Sequence, residues 1–262
     1  MPCLERPDGG RIHYQLRGSG PINVLLLAGG GMFSSIKYWD AIPYNPWNSL
    51  QHNERFRLIG MDQRNSNEFT ESPLGEGWDT YRDDQLALLD HLSIDKCLTI
   101  GACIGPSFQF KLMKKSPTRF PAAVMLQPIG LSRHTTEAIP WEGRSTGTRP
   151  SFVKWGTKLV EQDRRFSQSQ IDQLHEKMHG GSNEDFVFSV DRSYVSAMEQ
   201  PLMVFMGLDR AHPSETSREI VRLAKNATLV ENWTGEDYTK EGVDKRIEEF
   251  LISNWDDTTE PK

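Results

Sequence analysis

Short runs of apolar residues alternate with longer amphipathic stretches along most of the chain. Most of the apolar runs are too uniformly hydrophobic to leave one face in water, which favours strands buried inside a parallel sheet. The amphipathic stretches carry apolar residues at helical spacing, as in helices that connect neighbouring strands. The sequence therefore predicts an α/β fold with a mostly parallel central sheet flanked by helices. The predicted strands cover residues 11–16, 23–28, 56–61, 97–102, 122–126, 202–206 and 228–233, and the predicted helices cover residues 80–92, 105–115, 169–179 and 241–252.

The stretch 132–198 breaks this alternation. Arginine, tryptophan, glycine and proline follow one another irregularly in it, and it contains one clear helical pattern, at 169–179. We interpret it as a small helical cap inserted between two strands of a core domain that comprises residues 1–131 and 199–262. Its aromatic residues either line an apolar substrate pocket or form the core of the cap itself, and the sequence leaves both interpretations open. They are Trp141, Phe152, Trp155, Phe186 and Phe188.

Net charge indicates which kinds of binding partner to expect, and cysteine content indicates the cellular compartment. The net charge of −6 argues against nucleic acid and against an anionic membrane surface, because both select clustered lysine and arginine. No apolar run approaches the length of about 20 residues that a membrane-spanning helix requires. We therefore expect a small-molecule substrate, neither nucleic acid nor membrane as a partner, and a homodimer as the assembly to test. Three cysteines without metal-ligand spacing, and an N-terminus without a secretory signal, favour a reducing cytoplasmic location.

Cys103 occupies a predicted sharp turn between a strand and a helix. The apolar run 97–100 leads into residues 101–105 (Gly-Ala-Cys-Ile-Gly), and a helical pattern follows. Small residues two positions before and after a nucleophile allow such a turn to close. A helix N-terminus also favours the thiolate over the thiol, whose ordinary pKa is about 8.5. The pattern predicts a nucleophilic cysteine, and the alternative is a buried cysteine in a glycine-rich turn.

This turn resembles the nucleophile elbow of the α/β-hydrolase superfamily, with cysteine in place of the usual serine, as in dienelactone hydrolases. Residues 28–32 (Ala-Gly-Gly-Gly-Met) are similar to the glycine loop that supplies one oxyanion-hole N–H in that superfamily. The resemblance implies that Gly30 or Gly31 donates one hydrogen bond to the oxyanion and Ile104 the other. Residues 62–64 (Asp-Gln-Arg) resemble a turn that follows a strand in many of these proteins, and we expect a structural role for them. The fold implied by the resemblance is the α/β-hydrolase fold.

The residues that would complete a catalytic triad depart from the family pattern. Asp209 matches the position of the family's acid, after the strand predicted at 202–206, but no histidine follows residue 212. We consider His212 as the base, oriented by Asp209, because both lie at the carboxyl edge of the predicted sheet. The alternative is that His212 only packs or caps its loop. His134 is the reserve candidate for a base or a substrate contact, and Trp141 and Met32 are also predicted to contact the substrate. The other histidines are expected on surfaces and without a role: His13, His52, His91, His175 and His179.

The leading functional hypothesis is hydrolysis of a small-molecule ester, lactone or thioester through a thioester formed on Cys103. No cofactor or metal is expected for this chemistry. The missing late histidine leaves open a non-hydrolytic lyase, isomerase or cyclase on the same fold. A catalytically silent, ligand-binding relative is the third alternative.

Overall fold

The computed structural model describes residues 2–67, 72–130, 148–163, 165–180, 186–209, 211–234 and 239–255. Within these residues the chain forms an eight-stranded sheet in the order β1-β2-β4-β3-β5-β6-β7-β8. Strand β2 runs antiparallel to both of its neighbours, and the pairs from β4 to β8 are all parallel. The strands are β1 (Cys3–Glu5), β2 (Arg11–Arg17), β3 (Ile22–Leu27), β4 (Phe56–Met61), β5 (Leu98–Ala102), β6 (Ala123–Leu126), β7 (Leu202–Phe205) and β8 (Ala227–Val230).

The mostly parallel sheet predicted from the sequence is confirmed, with each of the seven predicted strands present to within a few residues. Strand β1 was not predicted. It has three residues, none of them fully buried, so it is too short to show a periodicity.

The helices connect the strands and cover both faces of the sheet. Those found in the described residues are α1 (Pro46–Ser49), α2 (Trp78–His91), α3 (Gly105–Lys115), α4 (Thr148–Gln162), α5 (Gln168–His179), α6 (Arg192–Ala197), α7 (Ser214–Leu223) and α8 (Lys240–Ser253). The four predicted helices correspond to α2, α3, α5 and α8. Helix α4 was missed because Pro150 and Gly156 normally indicate breaks. Pro150 in fact lies in the first turn of α4, where backbone N–H groups need no partner within the helix.

The core consists of two clusters, one on each face of the sheet. Alternate residues of β3 show this division, since Leu25 and Leu27 belong to one cluster and Val24 and Leu26 to the other. Helices α4 and α5 contribute buried residues to the cluster that contains Leu27. The described part of the inserted segment therefore shares one of the two core clusters with the sheet. The predicted boundaries of a separate cap, at residues 132 and 198, remain a prediction.

The turn after β4 is held by buried polar contacts. The carboxylate of Asp62 accepts a hydrogen bond from the backbone N–H of Ile36 at 2.7 Å and lies 2.7 Å from Nδ1 of His13. Arg64 forms two hydrogen bonds to Asp84, at 2.7 and 2.8 Å. These contacts fit the structural role expected for residues 62–64. They also show that the surface position predicted for His13 is wrong, because its ring is buried against Asp62.

Among the described residues, no helix has both the length and the apolar character needed to cross a bilayer.

Candidate active site

Cys103 lies in the turn between β5, which ends at Ala102, and α3, which begins at Gly105. Its φ of 59° is in the left-handed region, which non-glycine residues rarely adopt. Two backbone hydrogen bonds hold it there: its N–H donates to Leu126 O at 3.0 Å, and its carbonyl oxygen accepts from the N–H of Ile129 at 3.0 Å. Strained backbone of this kind is often found where a side chain must be presented for a function.

The glycines that flank the turn leave no room for a side chain. A Cβ atom on Gly101 would lie 2.5 Å from Oε1 of Gln109, and one on Gly105 would lie 2.4 Å from the carbonyl oxygen of Leu27. Helix α3 therefore packs directly on the backbone of the central strands. This close approach raises Cys103 above the carboxyl edge of the sheet, where parallel α/β folds gather their sites.

The Cys103 thiol is half-buried and surrounded by groups that favour its anionic form. Burial alone would raise the pKa of Cys103, but the hydrogen bond and charge of His212 lower it below the ordinary value of a thiol. The backbone N–H groups of Gly30 and Ile104 also donate to the sulfur and act in the same direction. Gly31, the alternative donor to Gly30, lines the cavity next to the thiol.

His212 lies between Cys103 and Asp209. Its Nδ1 is 2.9 Å from each carboxylate oxygen of Asp209. Its Nε2 is buried and has no partner with hydrogen-bond geometry among the described residues, but Cys103 lies close enough to shift the pKa of the ring. Burial alone would lower the pKa of His212, but Cys103 and Asp209 raise it to about 9. These opposite shifts favour a thiolate paired with an imidazolium over a neutral thiol beside a neutral imidazole.

Asp209 is fixed by the loop that connects β7 to α7. Its Oδ1 accepts hydrogen bonds from the backbone N–H groups of Ala211, at 2.8 Å, and His212, at 3.0 Å. Burial would raise the pKa of Asp209, but its contacts with His212 lower it below the usual range. The side chain remains 60% exposed, so water also reaches the carboxylate. The carboxylate of Asp209 and the imidazole of His212 are thus neighbours on a single loop.

A cavity of about 270 Å³ adjoins the thiol. Most of its wall is apolar, and Phe152 from α4 forms part of it, so this cap aromatic lines the cavity. Met32, predicted to contact the substrate, is buried and also lines the cavity. Trp155, Phe186 and Phe188 are buried in the adjoining core cluster. The other two predicted contacts, His134 and Trp141, lie outside the described residues.

His179 is a cavity residue that the sequence analysis missed. It was expected on a surface, but it is buried and lines the cavity that contains Cys103. The helical spacing contained a signal, because His179 follows Ile171 by eight residues and so falls on the buried face of α5. The polar character of histidine obscured that signal.

No group of three histidine, cysteine, aspartate or glutamate side chains in the described part of the chain could hold a metal ion. The groups that act on the reaction centre are the Cys103 thiol, the His212 imidazole, the Asp209 carboxylate and backbone N–H groups. Such a set is suited to nucleophilic attack and proton transfer.

Comparison with known proteins identifies the fold. Neither a protein-family model nor a curated protein sequence matches the chain. Several solved structures do match over almost their full length. A meta-cleavage product hydrolase from Pseudomonas fluorescens IP01 is 17% identical, with 97% of this chain and 98% of that chain covered and a TM-score of 0.66. An α/β hydrolase from Sphaerobacter thermophilus DSM 20745 is 16% identical, with 95% and 100% covered and a TM-score of 0.63.

An enol-lactonase from Burkholderia xenovorans LB400 is 19% identical, with 96% of this chain and 97% of that chain covered and a TM-score of 0.59. At such identities the similarity concerns the fold alone. The chain therefore has the α/β-hydrolase fold, which confirms the fold that the elbow and the glycine loop implied.

Proposed function

We propose that the protein is an acyl hydrolase that cleaves a small-molecule ester, lactone or thioester through a thioester on Cys103. One observation carries the proposal: His212 and the backbone N–H groups of Gly30 and Ile104 all act on the Cys103 thiol, and all four residues line one cavity. A nucleophile, its proton partner and two oxyanion donors are thus gathered beside a single cavity. An enol-lactonase is among the proteins that share the fold, and a lactone suits this chemistry.

In the first step, the Cys103 thiolate attacks the carbonyl carbon and forms a carbon–sulfur bond. The π electron pair of the carbonyl moves onto its oxygen, where the N–H groups of Gly30 and Ile104 stabilise the negative charge. Collapse of this intermediate breaks the bond to the leaving group, which takes the proton from Nε2 of His212. The products are the leaving alcohol or thiol and a thioester on Cys103.

In the second step, water attacks the thioester. Neutral His212 accepts a proton from the water as the new carbon–oxygen bond forms, and the same N–H groups stabilise the second oxyanion. Breakage of the carbon–sulfur bond releases the carboxylic acid and regenerates the thiolate beside the imidazolium. Asp209 holds the ring by accepting from Nδ1–H throughout, so that Nε2 remains directed at the sulfur.

The absence of a histidine after β8 is compatible with this reaction. A base needs hydrogen-bond reach of the nucleophile and an orienting partner, and the fold can supply both from either loop at the same sheet edge. Here His212 and Asp209 come from the loop after β7. The position of the base along the sequence differs from the family pattern, while its role is unchanged.

Labelling with an ester-directed electrophile, followed by peptide mapping, tests the nucleophile. We expect modification at Cys103 and a loss of hydrolysis of at least about 10³-fold in Cys103→Ala, as for the removal of other covalent nucleophiles. Cys3→Ser is the matched control, because Cys3 is also half-buried but lies in the edge strand β1. Its labelling at Cys103 and its activity should equal those of the wild type. Modification at any other residue, or full hydrolytic activity in Cys103→Ala, contradicts the proposal.

A further inference from the structure

His179 is a polar residue inside an aromatic part of the cavity wall. It is the last residue of α5 and is 4% exposed. The ring of Phe188 packs edge-on against it at 4.9 Å between centroids, and that of Trp78 at 5.5 Å. Phe152, which lines the cavity, also contacts it. The imidazole thus lines the same cavity as the Cys103 thiol, within a mainly aromatic shell that also includes the ring of His175 at 5.5 Å between centroids.

The Nδ1 atom of His179 has no hydrogen-bond partner among the described residues. A buried polar atom without a partner costs free energy, and a phenylalanine would fill this aromatic shell without that cost. A histidine that serves only to pack the core has no need of the unpaired nitrogen. Because Nδ1 is sealed from the cavity, a ligand oxygen meets the other ring nitrogen, Nε2, of this cavity-lining imidazole.

The ring of His179 is uncharged. Burial lowers its pKa to about 3, and nearby His175 acts in the same direction. A neutral imidazole can donate one hydrogen bond and accept another, but it offers no positive charge to a carboxylate or phosphate. Its natural partner is therefore an uncharged oxygen, such as a hydroxyl group or a ketone.

We propose that His179 is a substrate-binding residue that hydrogen-bonds an uncharged hydroxyl or keto oxygen on the part of the substrate that enters the cavity. The proposal extends the function proposed above by naming a substrate class: esters, lactones or thioesters of small aromatic or aliphatic groups that carry one such oxygen. A cavity of about 270 Å³ suits a group of this size. A site built around a hydrogen bond discriminates strongly against the analogue that lacks it.

Binding to Cys103→Ala tests this without requiring hydrolysis. The probes are methyl phenylacetate and its three derivatives with one ring hydroxyl in the ortho, meta or para position. Their binding affinities are measured by calorimetry. At least one hydroxylated isomer should bind about tenfold more tightly than the parent, as expected for one buried neutral hydrogen bond. The preference should fall below about threefold when His179→Phe is added and recover in part with His179→Gln, which restores hydrogen-bonding atoms.

His175→Phe in the same background is the matched control, because His175 contacts Phe152 but is not among the cavity-lining residues. It should keep the full preference. Equal binding of all four probes, or a preference that survives His179→Phe, overturns the proposal and leaves the hydrolase proposal standing. If Cys103 instead fails to react with electrophiles, the hydrolase proposal is overturned, while the binding preference assigned to His179 is unaffected.

His179→Phe changes the core, so its folding is checked by thermal unfolding. If the variant does not fold, ¹⁵N-histidine NMR of Cys103→Ala replaces it. The ring nitrogens of His179 should then shift on addition of the preferred hydroxylated probe and not on addition of the parent. Absence of that difference overturns the proposal.

Discussion

Cys103 and His212 shift each other's pKa in a site that water only partly reaches. The pKa of His212 is raised to about 9, and the pKa of Cys103 is lowered below that of a free thiol. Thiolate and imidazolium therefore coexist above the pKa of Cys103 and below about pH 9. Each ion is stabilised mainly by the other, so that removal of one changes the titration of its partner.

The pH dependence of activity follows from this pair. We expect kcat/KM to rise as Cys103 loses its proton on the acid side and to fall above about pH 9, where His212 can no longer donate to the leaving group. In His212→Gln the remaining effect of burial should move the titration of the thiol to higher pH. Alkylation of Cys103 at pH 7 should then slow by at least about tenfold, because only the thiolate reacts. The measurement is the rate of iodoacetamide labelling between pH 5 and pH 10.

His52→Gln is the control for this experiment, since His52 is exposed and distant in sequence from the site. Its labelling profile should match that of the wild type. An unchanged profile in His212→Gln would show that the imidazole does not hold the thiolate.

We expect Asp209 to act mainly by orienting the His212 ring and less by stabilising its protonated form. Both oxygens of Asp209 lie 2.9 Å from Nδ1 of His212. The Asp209 side chain is largely exposed, so water screens part of the effect of its charge on the imidazole. Asp209→Asn should therefore lower kcat/KM by between about 10-fold and 10²-fold, less than is usual for a fully buried acid. It should also shift the alkaline limb of the pH profile to lower pH, because a source of the raised His212 pKa is removed. A loss of activity without that shift would indicate a change in loop structure instead.

Cys103, His212 and Asp209 could be identified from the sequence as candidate site residues, whereas His179 could not. Cys103 could be located because a strand, two glycines and a helix surround it in a local pattern. The pairing of His212 with Asp209 is also local and was considered beforehand. His179 was missed because one of the rings that bury it, Trp78, comes from a distant part of the chain. The place of His179 in the cavity wall follows only from the packing of the folded chain.

The turn from β5 to α3 depends on backbone packing. A side chain on Gly105 would meet the carbonyl oxygen of Leu27 at 2.4 Å, and neither strand β3 nor helix α3 can move without disturbing the core. We expect Gly105→Ala to lower the free energy of unfolding by about 2 kcal/mol or more and to reduce activity. Urea unfolding, combined with an activity assay, measures both effects.

Gly9→Ala is the comparison for this variant. Gly9 also lies in a turn, with a φ of 83°, but nothing lies within 4 Å of the position that a Cβ would occupy. Its cost should be limited to the backbone conformation, about 1 kcal/mol, with activity unchanged. Equal destabilisation by the two substitutions would mean that contact with Leu27 does not matter.

At the level of elements, sequence periodicity located the strands better than the helices. Strands such as β3 and β5 are continuous apolar runs with clear boundaries, because both of their faces are covered. Helices α4 and α7 were not predicted, although α7 has buried residues at helical spacing. Three of these, Thr216, Ser217 and Glu219, are polar or charged, which weakens a pattern based on hydrophobicity.

For the whole molecule, the sheet order predicts a gradient of local stability. Strands β3, β5 and β6 are paired on both sides, whereas β1 has three residues and pairs only with β2. Hydrogen exchange followed by mass spectrometry should show the slowest amides in the interior strands and the fastest strand amides in β1. A fully deuterated sample provides the reference. Equal protection of β1 and β5 would contradict this order.

The overall architecture was predictable because it repeats a common arrangement of buried strands and crossover helices. The identity of the substrate was not, because it depends on the shape and polarity of one cavity. That cavity is formed jointly by residues as distant in the sequence as Gly30, Phe152 and His212.

The location of Asp209 and His212 on one loop has a consequence for protein engineering. In an enzyme whose acid and base come from separate loops, a graft of either loop transfers only half of the proton-handling pair. Here the segment between β7 and α7 carries both, with their spacing fixed by a few covalent bonds. Transplanting this one segment into another protein of the same fold should move the two groups together, as a single exchangeable module.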